Sequence, residues 1–311
     1  MRKNNAVFYH RVDFDGVISA LITWKRLSED GEGCDCIGYN YGDPLPNITG
    51  LFDKYKHIYI LDISFPPEYM LELLDKFRLD KVTWIDHHIT NIRDSEDHGY
   101  QDIMGLREVS YRGACELTWE YFFMHQEVPK LVKLVSANDT WDKGRFNWAS
   151  DVMALQSVLR AEFGVNLNNI IAAGVDNILS DYFVDNVLLP NGRTIMKYLT
   201  SKWRSQVRNA SFEITVNENL RGLAMLTPDF SSAMFESALV SGYQVFCVCN
   251  IKKDMPGYFS VSLYSEPDGR LGNFELGEYM RKYYKGGGHK HAAGGILDEE
   301  GFKRLVFDKK I

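Results

Sequence analysis

The sequence lacks three features that would indicate a membrane protein or a binder of long nucleic acid. No apolar run approaches the roughly 18–20 residues that a membrane-spanning helix needs. The first residues lead straight into a strand-like segment, without the apolar region of a signal peptide. Basic residues are not in excess, since the formal net charge is −7, whereas proteins that bind long duplexes usually carry a basic face. We therefore expect a cytoplasmic protein that binds neither membranes nor long duplex nucleic acid.

Cysteine is scarce, and its spacing is not that of a redox motif. The five cysteines include no Cys-x-x-Cys, but Cys34/Cys36 and Cys247/Cys249 form two Cys-x-Cys pairs. On a strand, the two thiols of such a pair face the same side. We expect them to be reduced core residues rather than zinc ligands or disulfides.

Strand-like and helix-like segments alternate through the first half of the chain. The predicted strands cover residues 6–10, 57–62 and 81–85, and the helices between them cover 16–28 and 67–77. This βαβ order predicts a parallel sheet with helices on its faces. Helical patterns then dominate from residue 113 to about 209.

The pattern changes near residue 211, where strand-like segments return. They are SFEITVNE, LRGLAML, YQVFCVCNI and YFSVSLYS, accompanied by predicted helices near 232–241 and 274–284. This order predicts a second, smaller α/β domain. We place the first domain at residues 1–190, a connecting helix at 191–210 and the second domain at 211–311.

Acidic and histidine residues follow each of the three predicted strands of the first domain. Because ligands in open parallel sheets sit outside the carboxyl ends of the strands, these residues should converge on one crevice. A further cluster, Ala137-Asn138-Asp139-Thr140-Trp141-Asp142, follows an apolar helix and supplies another acid. The residues that follow the strands are His10, Asp13, Asp15, Asp62, Asp86, His87 and His88.

This combination of side chains indicates a site for two metal ions. So many carboxylates would repel one another unless cations neutralised them. Carboxylate with imidazole suits manganese, iron, zinc or cobalt better than calcium. Two ions about 3.5–4 Å apart, sharing a carboxylate, would activate a water and hold a phosphoryl group. Each cluster alone has a plainer interpretation as a helix cap, a turn or a surface pair, but their succession at consecutive strand ends favours the metal site.

The same residues resemble the successive motifs of the DHH-family phosphoesterases that carry a C-terminal DHHA1 domain. The resemblance extends from residue 10 to residue 295. It rests on His10-x-x-Asp13-x-Asp15-Gly16, Ile60-Leu61-Asp62, Asp86-His87-His88, Asn138-Asp139-Thr140-Trp141 and the run GGGHKHAAGG at 286–295. It implies an N-terminal DHH domain, with a parallel sheet flanked by helices, followed by an α/β DHHA1 domain.

The resemblance also implies two manganese ions with Asp62 as the bridging ligand. It assigns His10 and Asp13 to one ion, and Asp15, His87 and Asp139 to the other.

The remaining residues of the crevice receive supporting roles from the resemblance. Asp86 would orient the histidines, as carboxylates commonly do next to metal ligands. His88 would face the substrate phosphate and the charge that develops on it. Asp142, one turn beyond Asp139, is the alternative for the last acidic ligand.

The glycine-rich run of the second domain is the candidate substrate-binding element. Gly286, Gly287 and Gly288 would let the backbone approach an anion and present N–H groups to it, and His289 could pair with a phosphate oxygen. A flexible loop after a helix is the alternative interpretation. In DHHA1-type relatives, this loop holds the part of a nucleotide that lies away from the scissile phosphate. Arg112, at the start of a predicted helix, is either a further phosphate contact or a surface residue.

Together, these features predict a manganese-dependent phosphodiesterase that hydrolyses short oligonucleotides to 5′-mononucleotides by a two-metal mechanism. Cyclic dinucleotides, 3′,5′-bisphosphate nucleotides and polyphosphate are alternative substrates for the same chemistry. A non-catalytic nucleotide-sensing module is the alternative from another class. The sequence does not determine the oligomeric state, and a homodimer is compatible with it.

Overall fold

The computed structural model describes residues 3–228, 234–235, 242–266, 268–288 and 290–311. It divides into two compact units, Met1–Met196 and Lys197–Ile311. The mixed α/β class predicted from the sequence is confirmed. Most of the helix predicted near 232–241 lies outside the described residues. None of the helices in the described ranges combines the length and apolarity that a bilayer crossing requires.

The first unit is built on a four-stranded sheet in which every neighbouring pair is parallel. The strands are β1 (Lys3–His10), β2 (Gly33–Tyr39), β3 (His57–Leu61) and β4 (Val82–Ile85). Their order across the sheet is β2-β1-β3-β4. Side chains alternate between two apolar clusters, so that Val7 and Leu61 belong to one, and Phe8 and Ile60 to the other. Both faces are therefore covered, as parallel sheets require.

Helices connect and follow these strands. Those between the strands and directly after them are α1 (Phe14–Glu29), α2 (Ile48–Lys54), α3 (Pro67–Phe77), a 3-10 turn (Leu79–Lys81) and α4 (Ile89–His98). The later ones are α5 (Ala114–Phe123), α6 (Lys130–Asp139), α7 (Met153–Phe163), α8 (Leu167–Ala172), α9 (Val175–Leu179), α10 (Asp181–Phe183) and α11 (Leu189–Ala210). Two π-helical turns, Trp148–Val152 and Val184–Leu188, lie among them.

The start of α1 explains why two acids and a glycine follow β1. Asp13 is the N-cap, and its Oδ1 accepts a hydrogen bond of 3.0 Å from the backbone N–H of Gly16. This bond satisfies one of the free N–H groups at the start of the helix. A Cβ atom at Gly16 would lie 2.1 Å from the carbonyl oxygen of His10, so only glycine fits there. The turn thereby brings Asp13 back over the end of β1.

The second unit contains a six-stranded mixed sheet. Its strands are β5 (Ser211–Val216), β6 (Leu220–Leu226), β7 (Val245–Ile251), β8 (Phe259–Tyr264), β9 (Gly287–Gly288) and β10 (Ala292–Leu297). The order is β5-β6-β7-β8-β10-β9, and β6 with β7 is the parallel pair. Among its described residues lie the helices α12 (Leu276–Tyr283) and α13 (Glu299–Lys303), with a π-helical turn at Arg304–Asp308.

Part of the glycine-rich run is regular strand, which the sequence analysis did not predict. Gly287 and Gly288 pair antiparallel with Gly294 and Ala293. A Cβ atom at Gly286 would lie 1.9 Å from the carbonyl oxygen of Gly294. Close approach of two backbones therefore accounts for this glycine without any ligand.

Candidate metal centre

The carboxyl ends of β1, β3 and β4 bring three of the predicted residues together. Tyr9 is paired with Leu61, and Leu61 with Ile85. The next residues along each strand, His10, Asp62 and Asp86, therefore lie side by side at one edge of the sheet. This is the edge at which parallel α/β sheets bind their ligands.

The first group of potential metal ligands consists of His10, Asp13 and Asp62. His10 Nδ1 lies 2.6 Å from Asp13 Oδ2 and 3.6 Å from Asp62 Oδ2. On the other side of the ring, His10 Nε2 lies 3.1 Å from Asn40 Oδ1. Because an amide oxygen only accepts hydrogen bonds, we assign the Nε2–H tautomer, which directs the lone pair of Nδ1 at the two carboxylates.

The second group consists of Asp15, His87 and Asp139, and a third, Asp62, His87 and His88, overlaps both. His87 Nε2 lies 3.1 Å from Asp139 Oδ2 and 3.6 Å from Asp15 Oδ2. It also lies 3.4 Å from Oδ1 of Asp62. Asp62 thus directs one carboxylate oxygen at each group of ligands, which is the geometry of a bridging ligand.

Four atoms of this cluster are buried and form no hydrogen bond with the described residues: His10 Nδ1, both carboxylate oxygens of Asp62, and His87 Nε2. Buried polar atoms are almost always paired, and each exception needs a reason. Divalent cations between the two groups would satisfy all four atoms at once. The residues therefore fit two metal ions.

Asp15 is fixed by the start of helix α5. Its Oδ2 accepts a hydrogen bond of 2.7 Å from the N–H of Ala114, and its Oδ1 one of 2.9 Å from the N–H of Cys115. The positive end of the helix dipole stabilises the negative carboxylate. A Cβ atom at Gly113 would lie 2.8 Å from Asp15 Oδ1, so this approach requires glycine.

The pKa values of the two buried acids show that the cluster carries too much negative charge. Burial raises the pKa of Asp15 well above its usual value, and the charges of Asp62 and Asp139 add to this. Burial also raises the pKa of Asp62. Positive charge must enter the cluster if these acids are to stay ionised, either as protons on the histidines or as cations.

The histidines take up part of this positive charge when no metal is bound. Burial lowers the pKa of His87, but the nearby carboxylates of Asp139 and Asp62 outweigh it and raise the pKa to about 12. Burial likewise lowers the pKa of His10, but the nearby carboxylates of Asp13 and Asp62 outweigh it and raise the pKa to about 10. The acids of the cluster thus stabilise positive charge beside the histidines, and this charge is carried by protons when no metal ion is bound.

Asp86 holds the Asp-His-His segment in place. Its Oδ1 accepts hydrogen bonds from the N–H of His87 (2.8 Å) and of His88 (3.0 Å), and from His88 Nδ1 (2.7 Å). Its Oδ2 accepts one of 2.7 Å from Asn91 Nδ2. We expected Asp86 to orient both histidines, but it contacts the ring of His88 and only the backbone of His87.

Of the three histidines in the cluster, His88 is the most exposed, with 33% of its side chain accessible to solvent. Its Nδ1 is engaged by Asp86, and it lies 3.8 Å from Asp62 Oδ1. Burial lowers the pKa of His88, but the hydrogen bond and the charge of Asp86 outweigh it and raise the pKa to about 9. The ring therefore carries positive charge at neutral pH, next to the metal ligands.

Asp62 adopts an uncommon backbone conformation directly after β3. Its φ is +59°, and its side chain is almost fully buried. Few residues other than glycine adopt such values. Backbone strain of this kind clusters at functional sites.

The structure distinguishes Asp139 from its alternative. Asp139 is the last residue of α6 and belongs to the second ligand group. Asp142 instead accepts a hydrogen bond of 3.2 Å from the N–H of Gly144. Among the described residues, Asp142 takes part in no group of potential ligands.

The predicted substrate-binding residues lie apart from the metal ligands in sequence, and their roles stay predictions. Arg112 forms ion pairs with Glu108 and Glu120, which raise its pKa although burial opposes them. Gly286 and its two neighbours belong to the second unit. His289 lies outside the described residues.

Comparison of the sequence with family models and with curated proteins finds no match. Comparison of the structure finds proteins of similar fold. The DHH domain of a member of the s1p family of ribosomal proteins aligns over 99% of this chain and 85% of that one, with a TM-score of 0.62 and 15% identity. The chain has the DHH fold.

Two further solved structures with a similar fold are enzymes or related to enzymes by their names. The pGpG-specific phosphodiesterase PggH from Vibrio cholerae aligns over 98% of this chain and 96% of its own, with a TM-score of 0.53 and 15% identity. An exopolyphosphatase-related protein from Bacteroides fragilis aligns over 97% and 90%, with a TM-score of 0.51 and 15% identity. The DHH fold that the sequence motifs predict is thereby confirmed.

Sequence analysis missed three residues that shape the site within this DHH fold. They are Asn40, which contacts the His10 ring, Asn91, which contacts Asp86, and Gly113, which admits Asp15 to the start of α5. Asn40 directly follows β2, so it shares with the predicted ligands a position at the end of a strand. No pattern in the sequence marks the other two.

Proposed function

We propose that this protein is a manganese-dependent phosphodiesterase that hydrolyses short oligonucleotides to 5′-mononucleotides with two metal ions. The observation that carries the proposal is the position of Asp62, which directs one oxygen at each of two groups of potential ligands. Histidine with carboxylate is a ligand set that suits manganese.

We assign each residue of the site a separate role. His10 and Asp13 would hold one ion, Asp15, His87 and Asp139 the other, and Asp62 both. When bound there, the ions would lower the pKa of water and neutralise charge on the phosphate. The backbone N–H groups at the start of α5 would hold the Asp15 carboxylate in place, and the bound ions would keep it ionised.

His88 would stabilise the charge that develops on the phosphate oxygens. Asp86 accepts a hydrogen bond from His88 Nδ1, which leaves Nε2 to donate to a phosphate oxygen. When no metal is bound, burial lowers the pKa of His88 but Asp86 outweighs it and raises the pKa to about 9, which favours a ring that is protonated at both nitrogens. A preorganised charged donor of this kind is among the strongest contributions to phosphoryl and acyl transfer.

A linear dinucleotide is the substrate that we consider first. The Vibrio cholerae protein of similar fold is named for its action on pGpG, a linear dinucleotide. We further propose that Gly286, Gly287, Gly288 and His289 bind the nucleotide part away from the scissile phosphate, with Arg112 as a further phosphate contact. A net charge of −7 argues against long duplex substrates.

Polyphosphate is the second candidate, because the Bacteroides fragilis protein of similar fold is named as exopolyphosphatase-related. A non-catalytic nucleotide sensor is less compatible with the site, since a protein that only binds nucleotides has no need for a pair of ligand groups sharing one carboxylate.

An assay of the metal-reconstituted protein against a substrate panel tests this proposal. The panel contains linear dinucleotides, longer RNA, cyclic dinucleotides, adenosine 3′,5′-bisphosphate, polyphosphate and pyrophosphate. We expect manganese-dependent cleavage of the linear dinucleotides, lost with a chelator and in Asp62→Asn. Preferential cleavage of polyphosphate would favour the second candidate over the linear dinucleotide. Absence of cleavage with every substrate would refute the proposed phosphodiesterase activity.

A further inference from the structure

Trp141 adopts a backbone conformation that is unusual for tryptophan. Helix α6 ends with the N–H of Asp142 bonded to the carbonyl of Ala137 (2.9 Å) and the N–H of Trp141 bonded to that of Asn138 (3.3 Å). This is the Schellman ending, in which the residue at the position of Trp141 takes a left-handed conformation and is usually glycine. The φ of Trp141 is +57°. A large side chain is therefore kept where glycine would be less strained.

Packing in the core does not account for this tryptophan, because 39% of it is exposed. Its ring contacts Trp148 edge to face, with the centroids 5.2 Å apart. Lys143 Nζ lies 4.9 Å from the Trp141 centroid and 5.4 Å from that of Trp148. The result is an exposed indole that is held in place and has a positive charge beside it.

Trp141 follows a residue of the candidate metal centre closely along the chain. Trp141 is two residues beyond Asp139, so their Cα atoms are at most about 7.6 Å apart. Between them, Thr140 Oγ1 donates hydrogen bonds to the carbonyls of Ser136 (2.9 Å) and Tyr111 (3.3 Å). Tyr111 lies two residues before Gly113, which admits Asp15 to the start of α5. The segment is thereby fixed relative to two members of the second ligand group.

We propose that Trp141 is a stacking platform for the nucleobase next to the scissile phosphate, on the side of Asp15, His87 and Asp139. Aromatic side chains bind bases of any sequence in this way, and a neighbouring cation adds to the attraction of both the ring and the phosphate. The inference rests on the proposed function and narrows its substrate to phosphodiesters that carry a base. Polyphosphate could not use the platform.

The test compares a linear dinucleotide with an abasic analogue that has the same sugar–phosphate backbone. Trp141→Gly should stay folded, because the left-handed position that it occupies is usually taken by glycine. It should lower kcat/KM for the dinucleotide by roughly 5- to 150-fold, the range expected from the loss of one base–aromatic contact. The abasic analogue should be cleaved equally by both proteins. Trp141→Phe should restore most of the activity on the dinucleotide.

Tyr182→Ala is the matched control, because it removes another exposed aromatic side chain of the same unit, 77% accessible and remote in sequence. It should leave kcat/KM unchanged for both substrates. Equal losses of Trp141→Gly on the dinucleotide and the abasic analogue, or no loss on either, would overturn the platform while leaving the proposed function intact.

A binding measurement separates this inference from the proposed activity. If the wild-type protein cleaves no phosphodiester, the proposed function fails. Calorimetric Kd values of the manganese-loaded protein then test whether Trp141 binds a base. The platform predicts that the wild type binds the dinucleotide more tightly than the abasic analogue, and that Trp141→Gly reduces the difference. Identical Kd values for the two ligands in the wild type would overturn it.

Discussion

Asp62 Oδ1 lies 3.4 Å from His87 Nε2, although the two residues follow different strands of the sheet. The other oxygen of the same carboxylate lies 3.6 Å from His10 Nδ1. One buried side chain thus joins two groups of potential ligands, and its own oxygens have no hydrogen bond with the described residues.

Asp62→Asn should abolish stabilisation of the protein by manganese. A ligand that binds only the folded state at 100 times its Kd adds about 2.7 kcal/mol, which should raise the Tm of the wild type by about 5–10 °C. The variant loses the bridging negative charge and should show little or no rise. Asp142→Asn is the control, since Asp142 belongs to no ligand group within the described ranges. A full rise in Asp62→Asn, or its loss in Asp142→Asn, would contradict the assignment.

His88→Gln should separate catalysis from metal binding. We expect kcat to fall by about 10²- to 10³-fold, as is typical when one preorganised hydrogen-bond donor to developing charge is removed. The rise in Tm with manganese should persist, because His88 is assigned to the phosphate and not to a metal ion. If the variant instead loses the response to manganese, His88 is a ligand and its role must be revised.

Gly113→Ala should weaken the site through Asp15. The added methyl group would lie 2.8 Å from Asp15 Oδ1 and force the carboxylate away from the N–H groups of α5. We expect a loss of about 1–3 kcal/mol in unfolding free energy from the overpacking, together with weaker manganese binding. At Gly144, the nearest atom to an added Cβ is 3.6 Å away, so Gly144→Ala should change stability by less than about 0.5 kcal/mol. Similar behaviour of the two variants in thermal unfolding and manganese titration would count against the role of Gly113.

His57 should make stability depend on pH. Burial lowers its pKa to about 4, and its Nε2 lies 2.8 Å from the hydroxyl of Thr83. Between pH 6.5 and 4, the unfolded chain takes up a proton that the folded protein does not, so unfolding free energy falls as the pH falls. Denaturant unfolding of His57→Gln should show a shallower decline over this range than the wild type. Parallel declines would show that His57 is protonated equally in both states.

Part of the candidate metal centre could be predicted, because some of its residues stand at the ends of strands with clear apolar patterns. His10, Asp62 and Asp86 each stand at the end of a strand, and the parallel order of the sheet brings such ends together. Asp139 was selected over Asp142 only by the structure, since the end of helix α6 decides which acid faces His87.

Contacts between distant segments could not be predicted in the same way. The hydrogen bonds from the start of α5 to Asp15 join residues 99 and 100 positions apart, and no local pattern specifies such a contact. Strand β10 was missed because its sequence, AAGGIL, begins with residues that have low strand propensity. Its pairing with β8 stabilises it instead.

Titration of the metal-free protein with manganese, followed by hydrolysis of a linear dinucleotide, tests the central claim most directly. We predict no hydrolysis without metal and activity that rises until about two ions are bound per chain, the number typical of two-metal phosphoryl chemistry. Hydrolysis that proceeds equally in the presence of a chelator, or that reaches its maximum with a single bound ion, would contradict a catalytic centre bridged by Asp62.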